Sequence, residues 1–430
     1  MLQTLKNAWV IKEIRNKILF TIMILLVFRI GSVIPVPFVD TEALIGAFDS
    51  TELTATQQVF SYLSILTGGS LEYGAILALS VTPYINSSII VQLLTVVFKR
   101  LQEWSKEGEE GQKKLAQLTR WVTVALALIQ GTAYFIYLEN NKYLTDGGLA
   151  APWFAGITIV LALAAGSALV MWLGERIDEK GVGNGISMIL FAGILARGPQ
   201  AIEALWYYVA ELGKYVEVIA IVLIFLATIM FVVWMTHAER RIPVQYAKRV
   251  VGNKMYGGQN THIPSKVNMS GVMPIIFASS ILMLPTMIMA FTGESDSTFY
   301  KFLQLFSVQG APYAIVYFLL IIGFAYFYST IQFNPVEMAN NLRKNGGAVP
   351  GIRPGKPTSD FIQKILSRIT LLGALFLSVI AILPIIISGV GAINISVGGT
   401  SLLIMVGVAL DTVRSLESQM MMRHYKGFLD

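Results

Sequence analysis

Apolar runs of about 20 residues recur along this chain, and that is the length a helix needs to cross the hydrocarbon of a bilayer. They fall at about 18–36, 75–97, 121–138, 153–173, 185–205, 216–235, 271–291, 312–332, 366–387 and 397–412. In lipid every backbone N–H and C=O must be satisfied within the protein, so a spanning element is a helix or part of a closed barrel. The alternating ten-residue segments of a barrel are absent. Composition agrees: of 430 residues, 55% are hydrophobic and 13% charged, and the mean hydropathy is +0.64. A soluble chain carries about twice that share of charge. The expected fold class is an all-α polytopic membrane protein with ten transmembrane helices.

Charge decides between nine spans and ten, because the fifth run is interrupted by Arg197-Gly198-Pro199. Cytoplasmic loops carry the excess of Lys and Arg. With the N-terminus inside, ten spans place 27 of the 32 basic residues in the cytoplasm, six of them in each of 98–120, 237–270 and 333–368. Dropping the fifth span would strand the six of 237–270 on the far side. Both termini are therefore expected in the cytoplasm. The basic start, MLQTLKNAWVIKEIRNKILF, resembles a signal peptide, but no small-x-small site closes its apolar run, so it reads as a retained first span. Ten spans divide into 1–213 and 214–430. Five is odd, so the second half enters from the opposite side, as inverted repeats do. The net charge of +6 sits mostly in the loops 237–270 and 333–368. Loops beyond about 15 residues usually serve a function, and a docking face for an acidic or phosphate-rich partner is expected.

Coupled transporters carry ionisable residues at bilayer depth. Here Arg29, Glu217, Arg368 and Asp411 lie near span ends, within snorkelling reach of an interface. There is no Gly-x-Ser-x-Gly elbow and no His-Glu-x-x-His, and the chain has no cysteine and three histidines. No catalytic residue, metal site or cofactor is expected. The polar content of the spans is neutral instead: Thr82, Asn86, Ser87, Ser88, Gln92, Gln130, Ser279 and Ser280. Singly, each reads as a helix-to-helix hydrogen bond; together, in spans 2, 3 and 7, they mark one wettable seam. Pro83, Pro274, Pro285 and Pro384 add weak points in backbone pairing. Ahead of span 2, Val59–Leu66 is apolar but too short to cross, and Gly68-Gly69 ends it. A re-entrant half-helix, buried in protein or lining a cavity, is expected there.

Seven stretches carry a resemblance: TPYINSSIIVQLLTVV (82–97), KEGEEGQKK (106–114), GVGNGIS (181–187), RRIPVQYAKR (240–249), THIPSKVNMSGVMPIIFASS (261–280), VPGIRPG (349–355) and GGTSLLI (398–404). In this order, on ten spans, the chain resembles the SecY family of protein-translocation channels over essentially its whole length. The resemblance implies an hourglass between two inverted five-helix halves, sealed at mid-depth by a ring of apolar side chains. On the matched positions the ring is Val81 and Ile85 of span 2, Leu190 of span 5, Ile276 of span 7 and Ile404 of span 10. Val81 and Ile85 are four apart and share a helix face. An apolar neck closes by dewetting and grips no particular sequence. Residues of about 57–69 are then the plug, a re-entrant helix carrying Phe60, Tyr62, Leu63, Ile65 and Leu66. The seam becomes a lateral gate, with Thr82, Asn86, Ser87, Gln130, Ser279, Ser280 and Leu284, through which apolar segments leave for lipid.

The two long loops match those that dock the ribosome, through RNA phosphates, or the motor ATPase SecA. Arg240, Arg241, Arg249, Lys254 and Arg353 are the implied contacts, since guanidinium forks suit phosphates and carboxylates alike. Where many relatives carry a further arginine pair, this chain has Asn253-Lys254. Also implied are the small membrane subunits SecE and SecG, a passenger polypeptide that is unfolded and bears a signal sequence, and the bacterial cytoplasmic membrane as location.

Overall fold

The structure is a computed structural model that describes residues 8–48, 67–145, 152–211, 213–246, 260–268, 271–292, 311–390 and 399–426, together with 6, 64, 249–251, 254–256 and 302–303. Every apolar run contains a helix. In chain order these are α1 (Lys12–Gly31), α2 (Thr41–Phe48), α3 (Thr82–Val97), α4 (Lys99–Lys106), α5 (Glu109–Asn140), α6 (Pro152–Lys180), α7 (Gly185–Ala196), α8 (Gly198–Ala210) and α9 (Tyr215–His237). Four strands follow: β1 (Glu239–Tyr246), β2 (Arg249–Val251), β3 (Lys254–Tyr256) and β4 (Asn260–Lys266). The chain then continues through α10 (Met273–Thr292), α11 (Ala311–Gln332), α12 (Pro335–Lys344), β5 (Gly347–Ala348), α13 (Lys356–Val390) and α14 (Gly399–Lys426). Among the described residues, six helical stretches are long and apolar enough to cross a membrane, including Gly185–Ala210, which joins α7 to α8 across Arg197.

The run at 75–97 is only partly helical. Residues 68–81 form turns, and α3 starts at Thr82. Apolar composition carries no period here, and the turns are pinned by longer-range bonds. The Val36 N–H donates to the Gly74 carbonyl at 2.9 Å, and the Ile76 N–H to that of Ile34 at 2.9 Å. The late start also changes the reading of two prolines. Pro83 and Pro274 are the second residues of α3 and α10, where a missing N–H breaks no intrahelical bond. They are not weak points. Pro285 does lie inside α10.

Buried apolar side chains form three large clusters. One lies wholly in the first half, with Leu44, Tyr134, Leu138, Ile159 and Leu163. A second lies wholly in the second half, with Leu282, Tyr317, Ile321, Leu377 and Leu403. The third draws on both: Phe28, Ile85, Ile177 and Leu190 from the first half, Ile276 and Ile404 from the second. Within the second-half cluster and its border, rings meet edge to face, as Phe231 does with Phe376 at 5.3 Å.

The 237–270 loop is not irregular. β1 pairs antiparallel with β4 from Glu239↔Lys266 to Gln245↔Asn260, and β5 takes the other edge of β1 at Gln245↔Ala348. Alternation along β1 turns Ile242 and Val244 inward. Val244 packs with Leu342 of α12 and with Ile362 and Leu366 of α13. Helix α13 has 35 residues, about 52 Å at 1.5 Å per residue. That exceeds the roughly 30 Å of bilayer hydrocarbon, so its first turns are free to hold the sheet.

Candidate functional site: an apolar neck with a polar seam

Val81, Ile85, Leu190, Ile276 and Ile404 all belong to the cluster shared by the two halves, and each is 9% exposed or less. Five positions spread over more than three hundred residues therefore meet in one place. Val81 ends the turn segment as the residue before α3, and the Ile85 N–H donates to its carbonyl at 3.0 Å. Leu190 comes from α7, Ile276 from the first turn of α10, and Ile404 from α14. Sequence reading had not pointed to Ile24 and Phe28 of α1, Leu173 of α6 or Val408 of α14, which pack in the same cluster. Their only sequence signal is apolarity, shared with half the chain. With no titratable group in it, such a cluster can pack, part and exclude water, and nothing else.

Beside it, α10 lies against both α3 and α5. Most hydroxyls along this junction are satisfied close by. The Ser87 and Thr123 hydroxyls hydrogen-bond across α3 and α5 at 2.6 Å, both fully buried. Ser279 donates to the Ile276 carbonyl at 2.9 Å, within its own helix. Thr123 was not visible as a partner in the sequence, because a threonine in an apolar run has no periodic signature. Two amides differ. Asn86 Oδ1 on α3 and Gln130 Oε1 on α5 are buried without a hydrogen-bond partner among the described residues. A buried acceptor left unmet costs about 1–3 kcal/mol. Thr82 and Ser280 are half-buried, while Leu284 is 50% exposed and stands outside the clusters.

The five side chains singled out in the 57–69 segment, Phe60, Tyr62, Leu63, Ile65 and Leu66, lie outside the described residues. The end of that segment is described. Gly68 and Gly69 have φ of 72° and 89°, and the Gly69 N–H returns to the Ser64 carbonyl at 2.8 Å, a helix-terminating bond. Arg29 does not snorkel outward. Its guanidinium turns in and donates to the Gly68 carbonyl at 2.8 Å. Arg197, at the break between α7 and α8, donates to Ser64 Oγ at 3.0 Å and pairs with Glu72.

The loops present a basic surface. Arg240 and Arg241 are exposed on β1, and Arg353 is exposed on the turn between β5 and α13. That turn is stiff: the Ile352 N–H donates to the Val349 carbonyl at 3.1 Å, and the Thr358 hydroxyl to the Arg353 carbonyl at 2.8 Å. Arg241 also donates to Glu239 at 2.8 Å, which holds that carboxyl below the ordinary glutamate range. Arg249 and Lys254 begin the paired strands β2 and β3, whose backbone alone is described.

A family model described as SecY matches residues 75–413. The chain is 42% identical over 433 residues to the Protein translocase subunit SecY of Thermotoga maritima, an alignment covering 100% of this chain and 98% of that protein. A solved structure that reports how the plug domain of the SecY protein stabilises the closed state superposes with a TM-score of 0.60 at 17% identity, over 94% of this chain and 92% of that one. Sec61 in the canine ribosome-channel complex superposes with a TM-score of 0.55 at 16% identity, over 94% and 92%. The structures show a shared fold, and identity over the full length shows descent: the chain belongs to the SecY family.

Proposed function

We propose that this chain is the channel subunit of a protein translocase. It passes unfolded secretory polypeptides across the bacterial cytoplasmic membrane and releases apolar segments sideways into the bilayer. It is not an enzyme. The observation that carries the reading is the buried apolar cluster that takes Val81, Ile85 and Leu190 from one half and Ile276 and Ile404 from the other. A seal built between two halves opens when the halves move apart, and an apolar seal accepts any passenger because it makes no directional bond.

In this reading the neck divides a vestibule on the side of the β-sheet from one on the side of residues 64–74, and the latter holds the plug. Helix α10 against α3 and α5 is the lateral gate, and the amide oxygens of Asn86 and Gln130, buried without a partner among the described residues, belong to two of its helices. The chain has ten spans in two inverted halves, 1–213 and 214–430, with both termini and the sheet in the cytoplasm. Arg240, Arg241, Arg249, Lys254 and Arg353 meet the ribosome or SecA, and SecE and SecG complete the membrane complex.

The test is reconstitution. The chain, purified from membranes with the small subunits that follow it, is placed in proteoliposomes with SecA, ATP and an unfolded preprotein. Signal-dependent protection of the preprotein from added protease is expected. Ion conductance that never rises, together with uptake of a small solute, would replace the channel with a transporter; docking of ribosomes without either would leave a scaffold.

A further inference from the structure

Two arginines that belong to neither the neck nor the seam converge on one short stretch and on its own Glu72. Arg29 comes from the end of α1, Arg197 from the break after α7, and Glu72 from the turns that precede α3. What they hold, Ser64 and Thr67–Glu72, runs from the end of the proposed plug toward Val81 and helix α3, which carries Ile85. The Arg29 guanidinium takes the Gly68 carbonyl at 2.8 Å. Arg197 takes the Ser64 hydroxyl at 3.0 Å and the Glu72 carboxylate. Side chains of Arg197 and Glu72 are only 12% and 18% exposed, so water competes poorly for either.

The seat beneath the segment is made of backbone. A side chain at Gly68 would bring its Cβ within 2.8 Å of the Cα and carbonyl oxygen of Gly193 on α7. A side chain at Gly69 would meet the Arg197 guanidinium at 3.6 Å. Helix α7 therefore does two things along its length. Leu190 and Ile194 enter the apolar neck, and Gly193 and Arg197 hold the segment beside it. From Leu190 to Arg197 is seven residues, about 10 Å along a helix, so neck and clasp move with one rigid element.

An ordinary structural ion pair would be paired and complete. Here the fit is incomplete, because Arg197 Nε is buried with no partner among the described residues. Arg197 meets the one carboxylate and Arg29 only a backbone carbonyl, and one Arg197 donor is unmet among the described residues. Such a contact is firm while the segment is seated, yet the cations gain solvation when it leaves. That is the behaviour of a contact that holds one state without making release prohibitive.

We propose that Arg29, Arg197 and Glu72 form a latch on Ser64 and Gly68 that sets how firmly the proposed plug is seated, and hence the balance between closed and open channel. The proposal rests on the channel reading. Arg197 and Glu72 act as positioning residues: neither touches the passenger's path through the neck.

The experiment reads ion conductance of the purified complex in planar bilayers, without passenger. Glu72→Gln keeps the shape and removes the charge, and its open fraction should rise about tenfold, within the range that loss of one coupling of this kind gives. Arg197→Lys keeps the charge without the fork and should fall between Glu72→Gln and the parent chain. The exchange Glu72→Arg with Arg197→Glu restores an ion pair and should return conductance toward the parent value, which a merely structural role for either residue would not do. Should Glu72→Gln fail to accumulate in membranes, Ser64→Ala removes one Arg197 contact alone and should still raise the open fraction. The Ile404→Asn neck variant separates the two readings. If it leaks while Glu72→Gln and Ser64→Ala stay tight, the latch is wrong and the channel stands. If none of the three leaks, the channel reading falls and takes the latch with it.

Discussion

Ile404→Asn puts an amide into the neck, and its effect can be worked from burial. Ile404 is 3% exposed and packs with side chains from both halves. Losing its apolar burial costs the closed state about 1.5–3 kcal/mol. Burying an amide there without a partner costs about 1–3 kcal/mol more. In a parted, wetted neck both costs vanish, since the amide is hydrated and no apolar contact remains to lose. The whole difference, roughly 2.5–6 kcal/mol, falls on the closed state. Repacking and neighbouring water will recover a large share. Even about 1.4 kcal/mol is a tenfold change in the closed-to-open ratio. The assay is conductance across planar bilayers, with export of preproteins bearing defective signals as the cellular counterpart; both should rise. Leu282→Asn is the control, being equally buried at 3% but in the second-half cluster away from the neck. It should lower thermal stability without a leak. If Ile404→Asn is also destabilised and tight, residue 404 is ordinary core and the neck assignment is refuted.

Three further outcomes are expected. Because the chain has no cysteine, Asn140→Cys and Thr261→Cys, both at exposed positions, can be labelled from one side at a time in intact cells; reagent outside should reach Asn140→Cys alone, and labelling of Thr261→Cys from outside would overturn the ten-span topology. Arg353→Glu should reduce ribosome or SecA binding about tenfold or more, as replacing a charge at a charge-paired contact does, while membrane levels stay unchanged, because an exposed loop tip contributes within about 0.5 kcal/mol to folding; loss of the protein itself would count against docking. Asn86→Leu removes a buried acceptor with an unmet bond, so the closed seam should gain about 1–3 kcal/mol and preproteins with weakly apolar signals should be exported less; improved export of those substrates would reverse the assignment of the seam.

Spans are legible because lipid imposes a length, and the helices α5, α6, α9, α11 and α13 lie where apolar residues accumulate over such a length, while the run broken at Arg197 becomes α7 and α8. Segment 68–81 is not, since a string of turns and a helix can share one apolar composition when bonds to residues 34–36 fix the turns. The hairpin of β1 and β4 hid for a different reason. Its strand ERRIPVQY alternates, but its inward Val244 finds its apolar partners on α12 and α13, about a hundred residues away. The neck positions were reached through the resemblance; from periodicity alone, Leu190 or Ile404 cannot be told from any other apolar residue of its helix. Arg29 and Arg197 show the limit most sharply. Arg29 reads as a cation near a span end and Arg197 as an external cation that interrupts a span, and only folding shows that they turn to Gly68 and to Ser64 and Glu72.

The structure also explains why the polar start of α3 is compatible with a membrane helix. Pro83 sits where the helix has no bond to lose, and Ser87 meets Thr123, so neither is a liability in this structure. Asn86 is a liability, with its carbonyl oxygen buried and unmet among the described residues, one residue from Ile85 of the proposed neck. The same helix thus contributes an apolar face that favours the packed cluster and a neighbouring amide that opposes it. Closure by apolar contact alone would deepen with every added methylene, at about 0.8 kcal/mol each. An unmet acceptor of about 1–3 kcal/mol offsets one to four of those methylenes. In the proposed channel, a seam tuned that way would be parted by a single apolar helix arriving from the passenger, which would supply new contacts to α3 and α10 while water or the passenger's backbone satisfies Asn86.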